Sequence, residues 1–248
     1  MTRSLHGKVI LITGAAHRIG ATTARMLHRA GANIVLHYRQ SKAGAEQLQA
    51  ELLEHRANSV ALVQGDLLDT ARLDGIIHEA HAVWGHLDVL INNASTFYPT
   101  PVGSITTHHW DDLLGSNLKA PLFLSQAAAP FLKKAHGCIV NIVDIHAERP
   151  LRHYPVYSVA KAGLVMLTKS LACELGPEVR VNAIAPGAIL WPENEMDDAT
   201  KARIIERTFL KRQGSPDDIA RAALFLIRDA DYTSGQILNV DGGRSLNS

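Results

Sequence analysis

Tyr157 and Lys161 lie four residues apart in the run Pro155-Val156-Tyr157-Ser158-Val159-Ala160-Lys161. Proline at the head of this run suits the first turn of a helix, where its missing N–H is not needed. On a helix, residues i and i+4 share a face, so the phenol and the ammonium can project into one crevice. A nearby ammonium favours phenolate, so the expectation is a lowered tyrosine pKa and easy proton exchange near neutral pH. An ordinary exposed pair with the same spacing is the plain alternative. A third group, Asp144, follows the apolar run Cys138–Val143 directly. If that run is a strand of a parallel sheet, Asp144 stands at its carboxyl edge, where such sheets bind ligands. A carboxylate there can accept hydrogen bonds from the N–H edge of a ligand, or hold a proton in apolar surroundings. Its simpler use is to cap the turn before His146.

These groups need a scaffold. Short β-branched apolar runs predict strands at Lys8–Thr13, Asn33–Tyr38, Val60–Gln64, Leu87–Ile91, Cys138–Val143, Val179–Ile184 and Gln236–Val240. Amphipathic segments between them predict helices at Ile19–Ala30, Lys42–Arg56, Ala71–Trp84, Thr107–Ala135, Pro155–Leu175 and Pro216–Arg228. Continuous apolar strands alternating with helices imply a mostly parallel sheet covered on both faces, and right-handed crossovers make it doubly wound. No linker or repeat interrupts the pattern, so one α/β Rossmann-type domain over 1–248 is expected. The interval 189–214 is irregular: Trp191-Pro192, acids at Glu193, Glu195, Asp197 and Asp198, then Lys201, Arg203 and Arg207. It reads as a solvated amphipathic helix after a turn, or as a lid over the ligand crevice.

The first strand runs into Thr13-Gly14-Ala15-Ala16-His17-Arg18-Ile19-Gly20. Gly14 permits a tight turn and Gly20 lets the next helix pack closely on the strand. The helix start at Ile19 then offers its N–H groups and positive dipole end to a pyrophosphate. The second strand ends His37-Tyr38-Arg39-Gln40-Ser41, with no acid before Glu46. An NAD site normally supplies a carboxylate here for the ribose 2′-hydroxyl. A guanidinium at Arg39 suits a 2′-phosphate instead, which favours NADPH over NADH.

In order along the chain stand TGAAHRIG at 13–20, Asp66-Leu67, Asn92-Asn93-Ala94-Ser95, Asn117, Tyr157 with Lys161, Pro186-Gly187 and Asp241-Gly242-Gly243. This set resembles the short-chain dehydrogenase/reductase superfamily over nearly the whole length. The resemblance implies sheet order 3-2-1-4-5-6-7, an NADP(H) cofactor, Tyr157 as proton donor or relay, and Lys161 on the nicotinamide ribose. It also implies that Asn117 holds a helix open near the lysine, and that Asp241-Gly242-Gly243 lies at a subunit contact of a homotetramer. Within the superfamily the chain is similar to the pteridine reductases. Arg18 replaces a common glycine, Asn93-Ala94-Ser95-Thr96-Phe97-Tyr98-Pro99 is similar to their pterin-facing segment, and Asp144 stands where most of the superfamily has serine. That likeness implies Phe97 stacking on a pterin, Ser95 and Arg18 adding hydrogen bonds, and Trp191 closing the far side. His17, His146 and Gln40 depart from the pattern.

With 46% apolar residues, 20% charged residues and a net charge of +1, the composition gives no reason to expect nucleic acid or an anionic membrane as partner. A small pterin-like molecule is the expected partner. The thirteen histidines form no metal-ligand spacing, so no metal is expected. Cys138 and Cys173, each in an apolar stretch, read as two buried thiols in a reducing compartment. The opening apolar run is too short for a signal sequence and no stretch reads as a membrane span, so a cytoplasmic protein is expected. Two rivals to a pteridine reductase stay open: a carbonyl or hydroxyl oxidoreductase of the same superfamily, and a dinucleotide-sensing binding protein without turnover.

Overall fold

The computed structural model describes residues 4–191 and 196–247. The apolar runs form β1 (Val9–Ile12), β2 (Asn33–Tyr38), β3 (Val60–Gln64), β4 (Val89–Asn92), β5 (Cys138–Ile142), β6 (Arg180–Pro186) and β7 (Ile237–Val240). They make one seven-stranded sheet of order β3-β2-β1-β4-β5-β6-β7, with every neighbouring pair parallel. Between them lie α1 (Arg18–Arg29), α2 (Lys42–His55), α3 (Leu73–Ala82), α4 (Thr107–Leu114), α5 (Ala120–Ala135), α6 (Pro155–Leu175), α7 (Asp198–Glu206) and α8 (Pro216–Arg228).

Side chains alternate across each strand, so β1 serves two cores. Ile10 and Ile12 pack with Leu27 of α1, Leu52 of α2 and Ile219 of α8. Val9 and Leu11 pack with Ile76 of α3, Leu124 of α5 and Leu171 of α6. Strand order reverses between β1 and β4, and the crevice at their carboxyl ends is where open α/β sheets take ligands.

Three expectations need correction. The helix predicted over Thr107–Ala135 is broken by one wide π turn at Gly115–Lys119. The Asn117 side-chain amide donates to Leu113 O at 3.0 Å, taking the acceptor that a regular helix gives to the backbone of residue 117. Cys173 is exposed, and only Cys138 is buried, its thiol pushed up to about 11 mainly by burial. Lastly, α6 is long and apolar enough to cross a membrane by length and composition alone. Half of it is buried, through Val156, Ala160, Leu164, Thr168, Leu171 and Leu175, the three-and-four spacing of a helix seated on a sheet. In the 189–214 interval the structure adds α7, started by Asp197, whose Oδ1 accepts from Thr200 N at 2.8 Å. The predicted positions Pro192, Glu193 and Glu195 lie outside the described residues.

His37 ties β2 to the turn after β1. Its Nδ1 accepts from Gly14 N at 3.3 Å and its Nε2 donates to Gly65 O at 3.2 Å, which requires the neutral ring. Burial holds its pKa down at about 4. The unfolded chain therefore binds this proton first on acidification, and the stability from neutral His37 is lost as pH falls from about 6.5 through 4. At about 1.4 kcal/mol per pKa unit, the full effect is on the order of 3 kcal/mol. Denaturant unfolding at pH 7 and near pH 4 should show a clearly smaller acid loss in His37→Asn than in the parent. An equal loss in both would remove His37 from the acid response.

Candidate active site

The turn between β1 and α1 is built for close approach. Gly14 has φ 61, and a Cβ there would stand 3.0 Å from Ala94 Cα. At Gly20 a Cβ would fall 2.5 Å from Gly14 O and 2.7 Å from Asn93 Nδ2. Asn93 clamps the turn by donating to Thr13 O at 2.8 Å and Gly14 O at 3.0 Å. The backbone amides of Asn93 and Ala94 donate to Thr13 Oγ1 at 2.9 and 3.0 Å. Asn93 and Ala94 thus shape the cradle as well as lining it. At the start of α1, the His17 side chain makes no cap and no acid occupies the first turn. Its N–H groups and positive dipole end are open to an anion. Arg18 has φ 54, left-handed backbone that glycine adopts without strain. Its Nη2 donates to Trp191 O at 3.1 Å, linking the glycine turn to the segment after β6.

At the end of β2, Tyr38 is buried against Ala16 and Ala45, so it and His37 wall the site as packed side chains. Arg39 is half exposed, its Nη1 3.9 Å from Asp66 Oδ1. Ser41 begins α2 and makes no side-chain cap. His17 packs over Gly44, where a Cβ would stand 2.2 Å from its ring. Leu67 is a core residue whose edge reaches the site.

At the other end, β5 and α6 bring three polar groups together. The Tyr157 hydroxyl donates to Asp144 Oδ2 at 2.8 Å, while Asp144 Oδ1 accepts from His146 N at 2.8 Å. The turn-capping and chemical uses of Asp144 are therefore both realised, one on each oxygen. Lys161, only 2% exposed, donates from Nζ to Ile142 O at 2.9 Å. Burial lowers its pKa to about 8 despite the charge of Asp144. The expected lowering of the tyrosine pKa is not found. Burial raises it well above 10, and the adjacent Asp144 carboxylate raises it further. Lys161 Nζ sits 5.6 Å from the ring centroid and bonds backbone, so its charge does not prevail. Ser95 extends the network: it stands beside the phenol and donates to Asn117 Oδ1 at 2.6 Å. Asn117 Nδ2 also donates to Thr96 O at 3.0 Å. The widened turn is thus held against the segment after β4. Phe97, 42% exposed, stacks on Tyr154 at 4.5 Å and meets Tyr157 edge-on at 4.8 Å.

All these groups face one cleft of about 800 Å³, within the usual range for small-molecule sites. The candidate catalytic, cofactor and substrate residues line it except Asn117, which stands behind Ser95. Pro186 and Gly187 close its floor, and a Cβ on Gly187 would stand 2.7 Å from Asp241 Cα. The Asp241 motif thus has a job within its own chain. Sequence reasoning missed Tyr154, Leu151, Met196, Ile204 and Arg244. Tyr154, next to Pro155, was available from its aromatic type alone. Arg244 reaches the cleft only because Asp241 packs on Gly187, a contact between distant residues.

A family model described as enoyl-(acyl carrier protein) reductase matches residues 14–245. Pteridine reductase 1 of Leishmania tarentolae is 34% identical, covering 99% of both chains. The chain belongs to the short-chain dehydrogenase/reductase superfamily. Other members of similar likeness are 3beta-hydroxysteroid dehydrogenase 1 of Eggerthella lenta, 34% identical over 99% of this chain and 97% of its own, and 3-oxoacyl-(acyl-carrier-protein) reductase of Staphylococcus aureus, 33% identical over 95% and 97%. As a member of this superfamily, the protein is an oxidoreductase that works with a nicotinamide dinucleotide.

Proposed function

We propose that this short-chain dehydrogenase/reductase is an NADPH-dependent reductase of pterin rings. The observation that carries the reading is the Tyr157 hydroxyl donating to Asp144 at 2.8 Å within the cleft. A carbonyl substrate offers only an acceptor oxygen and develops negative charge as it is reduced. A carboxylate beside Tyr157 opposes that charge. A pterin presents N–H donors as well as ring nitrogens that gain a proton, so an acceptor and a donor side by side fit it on both counts.

The cofactor fits the residues present. Gly14 and Gly20 leave the space, and the N-terminus of α1 the N–H groups, that a pyrophosphate needs. Arg39, Ser41 and the N-terminus of α2 form a cationic corner for a 2′-phosphate; Asp66 and Leu67 lie beside it for the adenosine. Arg39 gives up only a long, solvated contact with Asp66 to do so. Lys161 spends one of its three donors on Ile142 O and keeps two for the ribose near the nicotinamide. When bound, the reduced nicotinamide supplies a hydride. Tyr157, kept neutral by burial and by Asp144, is the proton donor. Asp144 orients that hydroxyl and accepts from the substrate N–H edge. Ser95 and Asn117 position the phenol from the other side. Phe97 offers a flat surface for the ring, with Trp191 and Arg18 at the border of the cleft.

A second reading, reduction of a ketone or oxidation of a hydroxyl, has support in the steroid and oxoacyl relatives and uses the same Tyr157 and Lys161. Purified protein should oxidise NADPH with a dihydropterin and turn over simple ketones poorly. Fast ketone reduction with no pterin turnover would favour the second reading, and tight NADPH binding with no turnover at all would favour a binding protein. Tyr157→Phe should lower pterin turnover by about two to four orders of magnitude and leave NADPH affinity nearly unchanged. Arg39→Ala should shrink the NADPH-over-NADH ratio of kcat/KM about tenfold or more, the scale of one charge-assisted contact. A ratio that stays put would exclude Arg39 from cofactor choice.

A further inference from the structure

Tyr98 follows Phe97 directly, yet it does not line the cleft. Its ring packs behind the site, with Leu113 of α4 and with Val156 and Tyr157 of α6. Its hydroxyl donates to Asp112 Oδ2 at 2.9 Å, and burial together with that carboxylate pushes its pKa up to about 12. Asp112 belongs to α4, a short helix whose start is fixed by a reciprocal cap. Thr106 Oγ1 accepts from His109 N at 3.2 Å, and His109 Nδ1 accepts from Thr106 N at 3.2 Å.

The Tyr98 bond closes a lacing between the segment after β4 and the helix opposite. Ser95 donates to Asn117 Oδ1 at 2.6 Å. Ser116 gives its single proton to Asp112 O at 2.8 Å, so Thr96 Oγ1 is the donor in its 2.5 Å contact with Ser116 Oγ. Both neighbours of Phe97 are thus bonded through their side chains to α4 and the wide turn that follows it. The Phe97 ring has no polar tie of its own and rests on Tyr154 and Tyr157. Its place is set by the backbone held between Thr96 and Tyr98. Pro99 and Pro101 have no N–H to donate, so the tie nearest to Phe97 on that side is the Tyr98 hydroxyl. One residue further, Thr100 N donates to His153 O at 2.7 Å, joining this segment to the loop that carries Tyr154. A stacking surface must be held to within about an ångström to keep a bound ring aligned with its reacting partners.

We propose that Tyr98 and Asp112 are positioning residues for the oxidoreductase reaction: their hydrogen bond, made outside the cleft, holds the Phe97 ring where a flat substrate stacks on it. This rests on the pterin reading for the substrate and on the lacing for the positioning. The test is a double-mutant cycle read with dihydrobiopterin. Tyr98→Phe keeps the ring and deletes the bond; KM should rise about tenfold with kcat within about threefold, because Asp144 holds the Tyr157 hydroxyl separately. In a Phe97→Leu background the same change should move KM by less than about twofold. NADPH affinity, measured by fluorescence titration, should agree within about twofold among all four proteins. Asp112→Ala should match Tyr98→Phe, and Asp112→Asn, which keeps an acceptor oxygen, should recover most of that loss. A KM penalty that persists undiminished after Phe97→Leu, or that brings an equal loss of NADPH affinity, would make the pair general structural support and overturn the proposal. If dihydrobiopterin is not turned over, the same cycle is read with the best ketone substrate. Coupling between Tyr98 and Phe97 there keeps the positioning role and overturns the pterin reading. Independent effects on the ketone, or no turnover of either substrate, would overturn both.

Discussion

The hydrogen bond from the Tyr157 hydroxyl to Asp144 is the contact on which the site depends, because it joins two elements whose placement the whole sheet must deliver. Asp144 comes from the end of β5 and Tyr157 from the first turns of α6, which Pro155 starts. Lys161, one turn further on, is pinned to Ile142 O, so strand end and helix are tied twice within a few ångströms. The same bond sets the protonation state. A buried phenol beside a carboxylate keeps its proton, and Lys161, its pKa lowered by burial, is held by the backbone of β5.

The scaffold was legible because its determinants are local and repetitive. Continuous apolar strands such as Ile34–Leu36 and Cys138–Val140 can only be buried on both faces, and the glycines at 14 and 20 have no other way to let backbone, Asn93 and Ala94 approach so closely. The Tyr157 and Lys161 pair was legible from helical spacing, and Asp144 from its position after a strand. What escaped depends on contacts between distant residues. The break at Gly115–Lys119 comes from one amide choosing a carbonyl, which no periodicity records. The tyrosine pKa went the opposite way because burial, invisible in spacing, outweighs an ammonium that is engaged with backbone. Arg244 was hidden because Asp241-Gly242-Gly243 reads, by resemblance, as a subunit contact, and its packing on Gly187 within the same chain is a contact between distant residues.

Relatives at 33% and 34% identity act, by name, on a pteridine, a hydroxysteroid and a 3-oxoacyl-(acyl-carrier-protein). Such a spread places the dinucleotide half of the cleft under common constraints and leaves specificity to the rim. In this chain the rim is built from Asp144, Phe97 with Tyr154, the segment at Trp191, and the C-terminal turn that carries Arg244.

The most direct measurement is dihydropterin turnover by Asp144→Asn, which keeps the size of the side chain and its acceptor oxygen but removes the charge. If the carboxylate is what fits this centre to a pterin, kcat/KM for the dihydropterin should fall by about two orders of magnitude or more. Turnover within about threefold of the parent, with the protein folded, would show that the charge of Asp144 is dispensable and that the centre is an ordinary tyrosine–lysine carbonyl site.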